Sequence, residues 1–392
     1  MVPVAPRLKD AFGADVVRAI AADLHAAWPA LDARAFTRDC LRGFDALELT
    51  QRAHRVAEVM HAHLPAGFEE AADVIVRSLG PEREHTARVD AAPFRYLPHG
   101  YFVGRYGLDH FEASMRAQHE LTRRFTAEFS IRPFLVRHRE ATLARLEDWA
   151  RDPNVHVRRL VSEGTRPRLP WAPRLRVFQE DPAPVLRLLE LLRDDPERYV
   201  QRSVANNLND IGKDHPGVAA ETCRRWAEGA PPGRAWIVRH ALRSLVKRGD
   251  GAALATLGYA ARPRVAVRGV RIAPGRAAIG GRVEIAFEIR SRARVPQALL
   301  VDLVVHFVKA SGATRARVFK LRRVSLPAGG REALRARLSL VQRSTRTHRP
   351  GRHAVDARVN GVDFSLGSFE IVDGAGETGA GVERRLSVRR RS

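Results

Sequence analysis

The same helical pattern occurs three times in the middle of the chain, as VRRLVSEG (157–164), VQRSVANN (200–207) and IVRHALRS (237–244). In this register Arg159, Arg202 and Arg239 align, at spacings of 43 and 37 residues. A single exposed arginine on a helix is usually part of a solvated face. A basic residue that recurs in register across three repeats indicates instead a continuous basic surface.

Each of the three stretches follows a helix and a turn that contains proline. The turns are Asp152-Pro153, Asp195-Pro196 and Pro231-Pro232-Gly233. Asp or Asn at such a junction caps the next helix, and proline suits its first turn. Helix pairs that repeat about every 40 residues are typical of a HEAT-like α-solenoid. We therefore predict an all-α HEAT-like domain over residues 1–262, with the second helices and their arginines lining a concave groove.

The apolar periodicity changes near residue 262. Alternation with a period of two then occurs in VEIAFEI (283–289), LLVDLVVHFV (299–308), ALRARLSL (333–340) and HAVDARV (353–359). Turn dipeptides separate these stretches: Pro274-Gly275, Gly280-Gly281, Ser311-Gly312, Gly329-Gly330, Pro350-Gly351 and Asn360-Gly361. About seven short strands predict an all-β immunoglobulin-like sandwich over residues 263–372. This segment lacks cysteine and tryptophan, which excludes a disulfide-pinned antibody-like domain.

The chain is strongly basic, with 67 Lys and Arg against 44 Asp and Glu and a formal net charge of +23. The charge is graded, at −2 in residues 1–130, +8 in 131–262, +15 in 263–372 and +2 in 373–392. A GC-rich genome can account for the arginine excess, but less easily for the shortage of acids. The balance favours a polyanionic partner, most often nucleic acid and less often an anionic membrane.

Other classes of protein are excluded at this point. No run of 18 apolar residues predicts a membrane span, and the first residues do not form a secretory signal. Cys40 and Cys223 are too few for a disulfide framework or a cysteine-based zinc site. We expect a monomer in a reducing bacterial cytoplasm, with no metal or other cofactor. The segment 373–392 predicts a disordered, arginine-rich tail.

Two segments of the helical part carry side chains that are suited to chemistry. In SEGTRPRLPWAPR (162–174), Glu163 lies one turn after Arg159, and Trp171 follows in a loop rich in proline and arginine. In NNLNDIGKD (206–214), Asp210 lies two turns after Arg202, so we expect the two to share a face. The alternative interpretations are a salt bridge for Glu163, a packing role for Trp171 and helix capping for the asparagines. Together, however, two carboxylates and one aromatic side chain can converge on one spot in the groove.

Several longer strings resemble the AlkC branch of the HEAT-like DNA alkylation repair glycosylases. They are YLPHGYFVGRYGLDHFEASM (96–115), FTAEFSIRPFL (125–135), DWARDPNVHVRRLVSEGTRPRLPWAPRL (148–175), YVQRSVANNLNDIGKDHP (199–216) and WIVRHALRSLVKRG (236–249). The resemblance covers most of residues 1–260. THRPGRHAV (347–355) and VNGVDFSLGSFEI (359–371) resemble the immunoglobulin-like domain that a subset of this branch carries. The arginine-rich tail resembles no part of the family.

The resemblance implies an enzyme that excises cationic N-alkylated bases, chiefly 3-methyladenine, from double-stranded DNA, and it leaves open whether 3-methylcytosine is also accepted. It implies hydrolysis of the N-glycosidic bond without a metal and without base flipping, unlike most glycosylases. Glu163 is the first candidate for stabilising the sugar cation, Asp210 the second, and Glu128 a third carboxylate that matches the family pattern. The alternative for Glu128 is a structural ion pair with a nearby arginine. Trp171 is expected to press on the sugar and to exclude water.

The basic and amide side chains are predicted to hold DNA. The candidates are Arg158, Arg159, Arg166, Arg202, Asn206, Asn207, Arg239, His240, Arg243, Lys247, Arg346, His348, Arg349 and Arg352. The last four lie in a turn that can enter the minor groove, where an N3 adduct lies. Alternatively, the basic sandwich acts as a general electrostatic anchor or only stabilises the end of the solenoid.

Two other functions stay open from the residues alone. HEAT solenoids are mostly scaffolds, so the chain can also be a non-catalytic protein that binds distorted DNA or RNA. Such a binder has no need of Glu163, Trp171 and Asp210 together. A role at a membrane surface is the weaker alternative, because no basic amphipathic helix is evident.

Overall fold

The structure, a computed structural model, describes residues 8–82, 92–260, 262–342 and 347–373. The chain divides into two compact units, Met1–Leu245 and Val246–Ser392. The change from helix to strand lies between Thr256 and Val265. The predicted domain bounds at 262 and 372 remain predictions, and the predicted disorder of the tail concerns residues that, except for Asp373, lie outside the described ones.

Helices form all of the regular structure described in the first unit. The α-helices are α1 (Ala14–Ala27), α2 (Ala33–Leu41), α3 (Leu49–His63), α4 (Phe68–Ser78), α5 (Leu97–Tyr106), α6 (Phe111–Thr122), α7 (Ile131–Arg137), α8 (Arg139–Trp149), α9 (Val155–Gly164), α10 (Arg176–Glu180), α11 (Ala183–Leu192), α12 (Arg198–Asp214), α13 (Pro216–Ala227) and α14 (Pro232–Ala241). Short 3-10 helices span Leu8–Ala11, Phe44–Ala46 and Ala92–Tyr96. Helix α15 (Arg243–Arg248) crosses the boundary, and α16 (Gly251–Thr256) belongs to the second unit.

The three predicted helix pairs are α8 with α9, α11 with α12, and α13 with α14. The second helices pack in series, with α12 in contact with both α9 and α14. Proline opens α14 at Pro232, and the Asn154 side chain caps α9 by accepting the N–H of His156. The third pattern is less regular than its sequence indicates, because α14 ends at Ala241 and α15 continues the chain. The predicted HEAT-like architecture is confirmed.

The apolar spacing of the repeats explains their packing. On α11 the side chains of Val185, Leu188, Leu189 and Leu192 are buried, at the spacing of one helix face. Leu191, on the opposite side, is 41% exposed. The buried face of α11 contacts α8, α9 and α12, so each repeat completes its core with residues of the next one.

The described part of the second unit forms eight strands in two sheets. The strands are β1 (Val265–Ala273), β2 (Arg276–Ala278), β3 (Arg282–Ser291), β4 (Gln297–Val308), β5 (Thr314–Leu326), β6 (Arg331–Ser339), β7 (Gly351–Val359) and β8 (Val362–Val372). The sheets have the orders β1-β3-β6 and β2-β8-β7-β4-β5, and all neighbours are antiparallel except β2 and β8. Alternate residues such as Leu334 and Leu338 fill the core between the sheets. The predicted immunoglobulin-like sandwich is confirmed.

The Asn360-Gly361 turn fixes the register of the last hairpin. Both residues have positive φ, 43° and 83°, as a two-residue hairpin turn requires. Val359 consequently pairs with Val362. The Asn360 side chain is buried and accepts the N–H of Leu300 at 2.8 Å, so the turn is also held to β4.

Candidate active site

Acidic and basic side chains alternate through the centre of the first unit. This carboxylate–arginine chain consists of Glu128, Arg159, Glu163, Arg166, Asp210 and Lys213. Arg159 Nη1 lies 2.5 Å from Glu128 Oε2, and its Nη2 lies 3.5 Å from Glu163 Oε1. Arg166 donates to Glu163 Oε1 at 2.6 Å and to Asp210 Oδ2 at 2.8 Å, while Lys213 donates to Asp210 Oδ1 at 2.7 Å. The chain therefore joins all three predicted carboxylates into one network.

Local helix geometry produces this alignment. On α9 the spacing of four residues places Arg159 and Glu163 on one face, and Arg166 follows directly after the helix. On α12, Ser203, Asn207 and Asp210 lie on one buried face toward α9. Ser203 Oγ donates to Glu163 Oε2 at 2.5 Å, and Asn207 Nδ2 donates to the carbonyl oxygen of Ser162 at 2.8 Å. These contacts between repeats hold the two carboxylates in register.

Glu163 is buried and ionised. Its residue is 6% exposed, and burial, the largest single effect, raises its pKa. The positive charges of Arg159 and Arg166 and the hydrogen bond from Ser203 outweigh burial, so the pKa of Glu163 lies below its ordinary value. Burial is the largest single effect on Arg159 and lowers its pKa. The negative charges of Glu128 and Glu163 together outweigh burial, so the pKa of Arg159 lies above its ordinary value. Glu163 is consequently an anion at neutral pH.

The loop after α9 is held by Arg132 on α7. This arginine donates to the carbonyl oxygens of Gly164, Arg166 and Pro173. Burial, followed by the charge of Arg166, lowers the pKa of Arg132 to about 10. Trp171 lies in this loop with φ of 66°, which is unfavourable for a bulky residue, and its residue is 68% exposed. The strained backbone thus presents the indole to solvent, and the alternative packing role for Trp171 is wrong.

The first unit divides the predicted DNA-binding residues into two groups. Arg202 and Arg239 are exposed and have no hydrogen-bond or ion-pair partner among the described residues. Arg158 donates to Asp195 at 2.6 Å, and Arg159, Arg166 and Asn207 are engaged in the contacts given above. The contacts observed for this second group are with the protein, so DNA contact by them remains an untested prediction.

The remaining predicted polar side chains of α12, α14 and α15 form local contacts. Arg243 Nη2 donates to Asn206 Oδ1 at 2.9 Å, and the His240 ring stacks on Trp236 with centroids 4.7 Å apart. The expectation that Arg202 and Asp210 share a face is wrong, because Arg202 is exposed and Asp210 is 1% exposed. Eight residues exceed two helical turns by about 80°, which separates the two side chains.

The second unit has its own set of basic side chains. Arg349, Arg352 and Lys247 are exposed, whereas Arg346 lies outside the described residues. His348 is 2% exposed and packs on Phe307 with centroids 5.4 Å apart, so its ring is part of the sandwich as observed. Residues that the sequence did not single out add to the basic surface: Lys309, Arg315 and Arg317 line a cavity of about 250 Å³ together with the predicted Arg349.

Three residues of the carboxylate–arginine chain or its supports were missed by reasoning from sequence. The quoted strings that resemble the family contain Ser203, Arg132 and Lys213, but neither the residue type nor the spacing of these three indicates a role at the site. Among the described residues, no group of three or more His, Cys, Asp or Glu is placed to hold a metal ion. No helix in the described part of the chain is long and apolar enough to cross a membrane.

Comparisons with known proteins show which family the chain belongs to. The family model "DNA alkylation repair enzyme" matches residues 125–244, and that of the "C-terminal Ig-like domain" of YhaZ matches residues 266–373. The protein YhaZ of Bacillus subtilis is 34% identical over 356 residues, which are 90% of this chain and 96% of YhaZ.

A solved structure is also similar over nearly the whole chain. It is Pseudomonas fluorescens alkylpurine DNA glycosylase AlkC bound to DNA containing an abasic site analog, with 38% identity and a TM-score of 0.85. The match covers 94% of this chain and 100% of that one. The chain therefore belongs to the AlkC branch of the HEAT-like DNA alkylation repair glycosylases, in the form that carries a C-terminal immunoglobulin-like domain.

Proposed function

We propose that this protein is a monofunctional glycosylase that releases cationic N-alkylated bases, chiefly 3-methyladenine and also 3-methylcytosine, from double-stranded DNA without flipping them. The observation that carries the proposal is the pair of buried carboxylates, Glu163 and Asp210, beside a loop that presents Trp171. The similarity to an alkylpurine glycosylase solved with an abasic-site analogue supports the same reaction. We expect the enzyme to act as a monomer in the cytoplasm.

The reaction depends on a negative charge near the sugar more than on an acid that protonates the leaving base. An N3-alkylated adenine carries a positive charge, so it leaves with the electron pair of the C1′–N9 bond and becomes neutral. Positive charge then develops on the deoxyribose, and a water oxygen forms the new bond to C1′ as it loses a proton. A preorganised carboxylate stabilises this charge and orients the water. Glu163 suits this role because its surroundings keep it ionised.

Asp210 and Glu128 are the other two carboxylates of the network that contains Glu163. Asp210 is 1% exposed and receives hydrogen bonds from Arg166 and Lys213. Glu128 receives a hydrogen bond from Arg159, which also lies near Glu163. We assign Asp210 as the second carboxylate at the sugar. For Glu128 the geometry favours the structural ion pair, through which it positions Arg159.

Binding is assigned to the exposed cations. Arg202 and Arg239 lie on neighbouring second helices, and Arg349 and Arg352 lie on the sandwich. Each phosphate that such a side chain neutralises releases condensed counterions, so affinity falls steeply with salt. Contacts to phosphate carry no sequence information, and we expect little sequence preference. A duplex that bends at the lesion exposes the sugar, and the backbone contacts offset the bending energy.

The test is the release of bases from methylated duplex DNA, separated by chromatography. Glu163→Gln is expected to lower the rate about 10²- to 10³-fold. Glu147→Gln on α8, where the residue is exposed, is the matched control and is expected to retain the wild-type rate. Thermal melting of both variants checks that they fold.

One feature favours the non-catalytic alternative, a scaffold that binds distorted DNA or RNA. Glu163 and Asp210 are both fully paired within the protein, as structural carboxylates are. Tight, salt-sensitive binding by the wild type with no free base would establish that alternative. Normal release by both Glu163→Gln and Asp210→Asn would instead keep the enzyme and remove the catalytic assignment.

A further inference from the structure

Arg132 on α7 binds both ends of the loop that carries Trp171. Its Nη1 donates to the carbonyl oxygens of Gly164 at 3.0 Å and Arg166 at 2.9 Å, where α9 ends. Its Nη2 donates to the carbonyl oxygen of Pro173 at 2.5 Å, two residues after Trp171. One guanidinium group therefore brings the two ends of this loop together.

The position of these three acceptors suits an arginine in particular. A guanidinium is a planar fork whose five N–H donors point in fixed directions, so it can bind several carbonyl oxygens at once. A lysine carries its three donors on a single nitrogen and has no such fork. Arg132 is also 4% exposed, so its donors are directed to the backbone of the loop and not to solvent.

Other contacts hold the loop before it reaches Trp171. Arg168 pairs with Asp214 on α12, which anchors the middle of the loop to the neighbouring repeat. Among the described residues, the side-chain hydrogen bond that holds the segment after this anchor is that of Arg132 with Pro173. The place of the indole consequently depends on Arg132.

Both Arg132 and Trp171 are costly to the fold. Arg132 makes no ion pair among the described residues, and burial lowers its pKa to about 10, so it is still a cation at neutral pH. A buried charge without an ion pair lowers stability. Trp171 has a φ of 66° and is 68% exposed, so it adds backbone strain without filling a core. Costs of this kind occur mainly where a function requires the geometry.

We propose that Arg132 is a positioning residue for base release, which holds the loop so that Trp171 contacts the sugar of the damaged nucleotide beside Glu163. The inference rests on the proposed function, because it takes base release as the reaction. It requires no movement of the base out of the duplex, since Trp171 acts on the sugar. A displacement of about 1 Å at a reacting centre can cost about 10²-fold in rate, so the loss of a distant anchor is sufficient to slow the reaction.

The experiment measures base release from methylated duplex DNA in a single turnover, with the enzyme in saturating excess. Arg132→Met retains much of the side-chain volume but removes the donors, and is expected to lower the rate constant about 10²-fold. The salt dependence of binding to a duplex with an abasic-site analogue should not change, whereas the loss of a phosphate contact would lower its slope by about 0.9. Arg137→Met, at an exposed position on the same helix, is the matched control and should retain the wild-type rate.

Two further variants separate positioning from stability. Phe134→Leu lies on the same helix, buried against Phe111 and not against the loop, and should lower the melting temperature while retaining the wild-type rate. Arg132→Lys keeps the charge, and serves if Arg132→Met melts below the assay temperature. Because its single nitrogen cannot replace the fork, it is expected to stay at least about tenfold slower than the wild type.

A double-mutant cycle tests whether Arg132 acts through the loop. In the Trp171→Ala background, Arg132→Met should lower the rate by no more than about threefold, because the side chain that it positions is already gone. A further loss of about 10²-fold in that background would overturn the inference. So would a wild-type rate in Arg132→Lys, or an equal loss of rate in Phe134→Leu.

Failure of this inference can be distinguished from failure of the proposed function. A wild-type rate in Arg132→Met removes the positioning role and leaves the glycosylase. A wild-type protein that releases no base removes both.

Discussion

Replacing Arg166 tests whether the carboxylate–arginine chain holds the repeats together. Arg166 is the bridge between Glu163 and Asp210, and Arg166→Met removes its charge while retaining much of its volume. Removing one partner of a buried ion pair costs about 3–5 kcal/mol. Arg159 and Lys213 still face the two carboxylates, so we expect the lower end, about 3 kcal/mol. For a unit of this size, about 3 kcal/mol lowers the melting temperature by about 6–12 °C.

The pH dependence separates this account from a general packing defect. The pKa of Glu163 is depressed in the folded protein, so its stabilising contribution is present above the ordinary glutamate pKa and is lost as the pH falls through the folded value. Without Arg166 the pKa of Glu163 rises, because burial is then opposed by fewer charges. We therefore expect the stability difference between wild type and Arg166→Met to be largest near pH 7 and to shrink on acidification.

The assay is thermal melting of the full chain followed by circular dichroism at 222 nm, which reports the helices, from pH 7 down to pH 4. Arg224→Met is the matched control, because Arg224 makes two ion pairs on an exposed surface of α13. Its melting temperature is expected to change by no more than about 2 °C. A shift as small as this in Arg166→Met, or a large shift that does not depend on pH, would refute the role given to the network.

Three further outcomes are expected. The affinity for duplex DNA falls with salt, and Arg202→Gln and Arg239→Gln should each make the plot of log affinity against log salt less steep by about 0.9, measured by fluorescence anisotropy. Unchanged slopes would remove these residues from the interface. Asn360→Ala should lower the free energy of unfolding by about 1–3 kcal/mol in denaturant titrations, because it unpairs the partly buried N–H of Leu300 and leaves alanine at positive φ. Burial raises the pKa of both Cys40 and Cys223 to about 12, so a thiol reagent should label neither in the folded protein and both after unfolding; rapid labelling of the native protein would contradict the packing.

Regular amphipathic elements could be predicted from sequence, and irregular ones could not. The buried stripe of α11 and the alternating strand β6 are visible because one face of each meets a core. Strand β5 was not among the predicted strands, although it has thirteen residues. Strand β5 lies at the edge of its sheet and is mostly exposed. Charged residues such as Arg315 and Arg317 therefore occur along it, and its sequence shows no clear alternation of apolar and polar residues. Charged residues on an edge also discourage pairing with other chains.

At the candidate site, sequence reasoning found the carboxylates but not their partners. Glu163 is marked by the arginine- and proline-rich loop that follows it, and Asp210 by the asparagine-rich stretch around it, whereas Ser203 looks like any small polar residue of a helix. Arg166 shows the limit most clearly, because the sequence predicted it only as a DNA-binding residue and did not predict its carboxylate partners. Its pairing with Asp210 joins residues 44 positions apart, and that contact depends on how the repeats stack. No local pattern distinguishes a buried arginine from an exposed one.

The paired and the exposed cations are expected to have different roles, in base release and in DNA binding respectively. The repeats carry a formal +8 over residues 131–262, yet the carboxylate–arginine chain contains three anions and three cations and is neutral as a whole. The +8 is already a net value, so the positive excess of the repeats lies on side chains outside this network. We expect exposed side chains such as Arg202 and Arg239, together with the sandwich at +15 over residues 263–372, to contact the phosphates. Mutations of exposed cations should consequently change the affinity for DNA and its salt dependence. Mutations within the carboxylate–arginine chain should instead change the stability of the protein and the rate of base release.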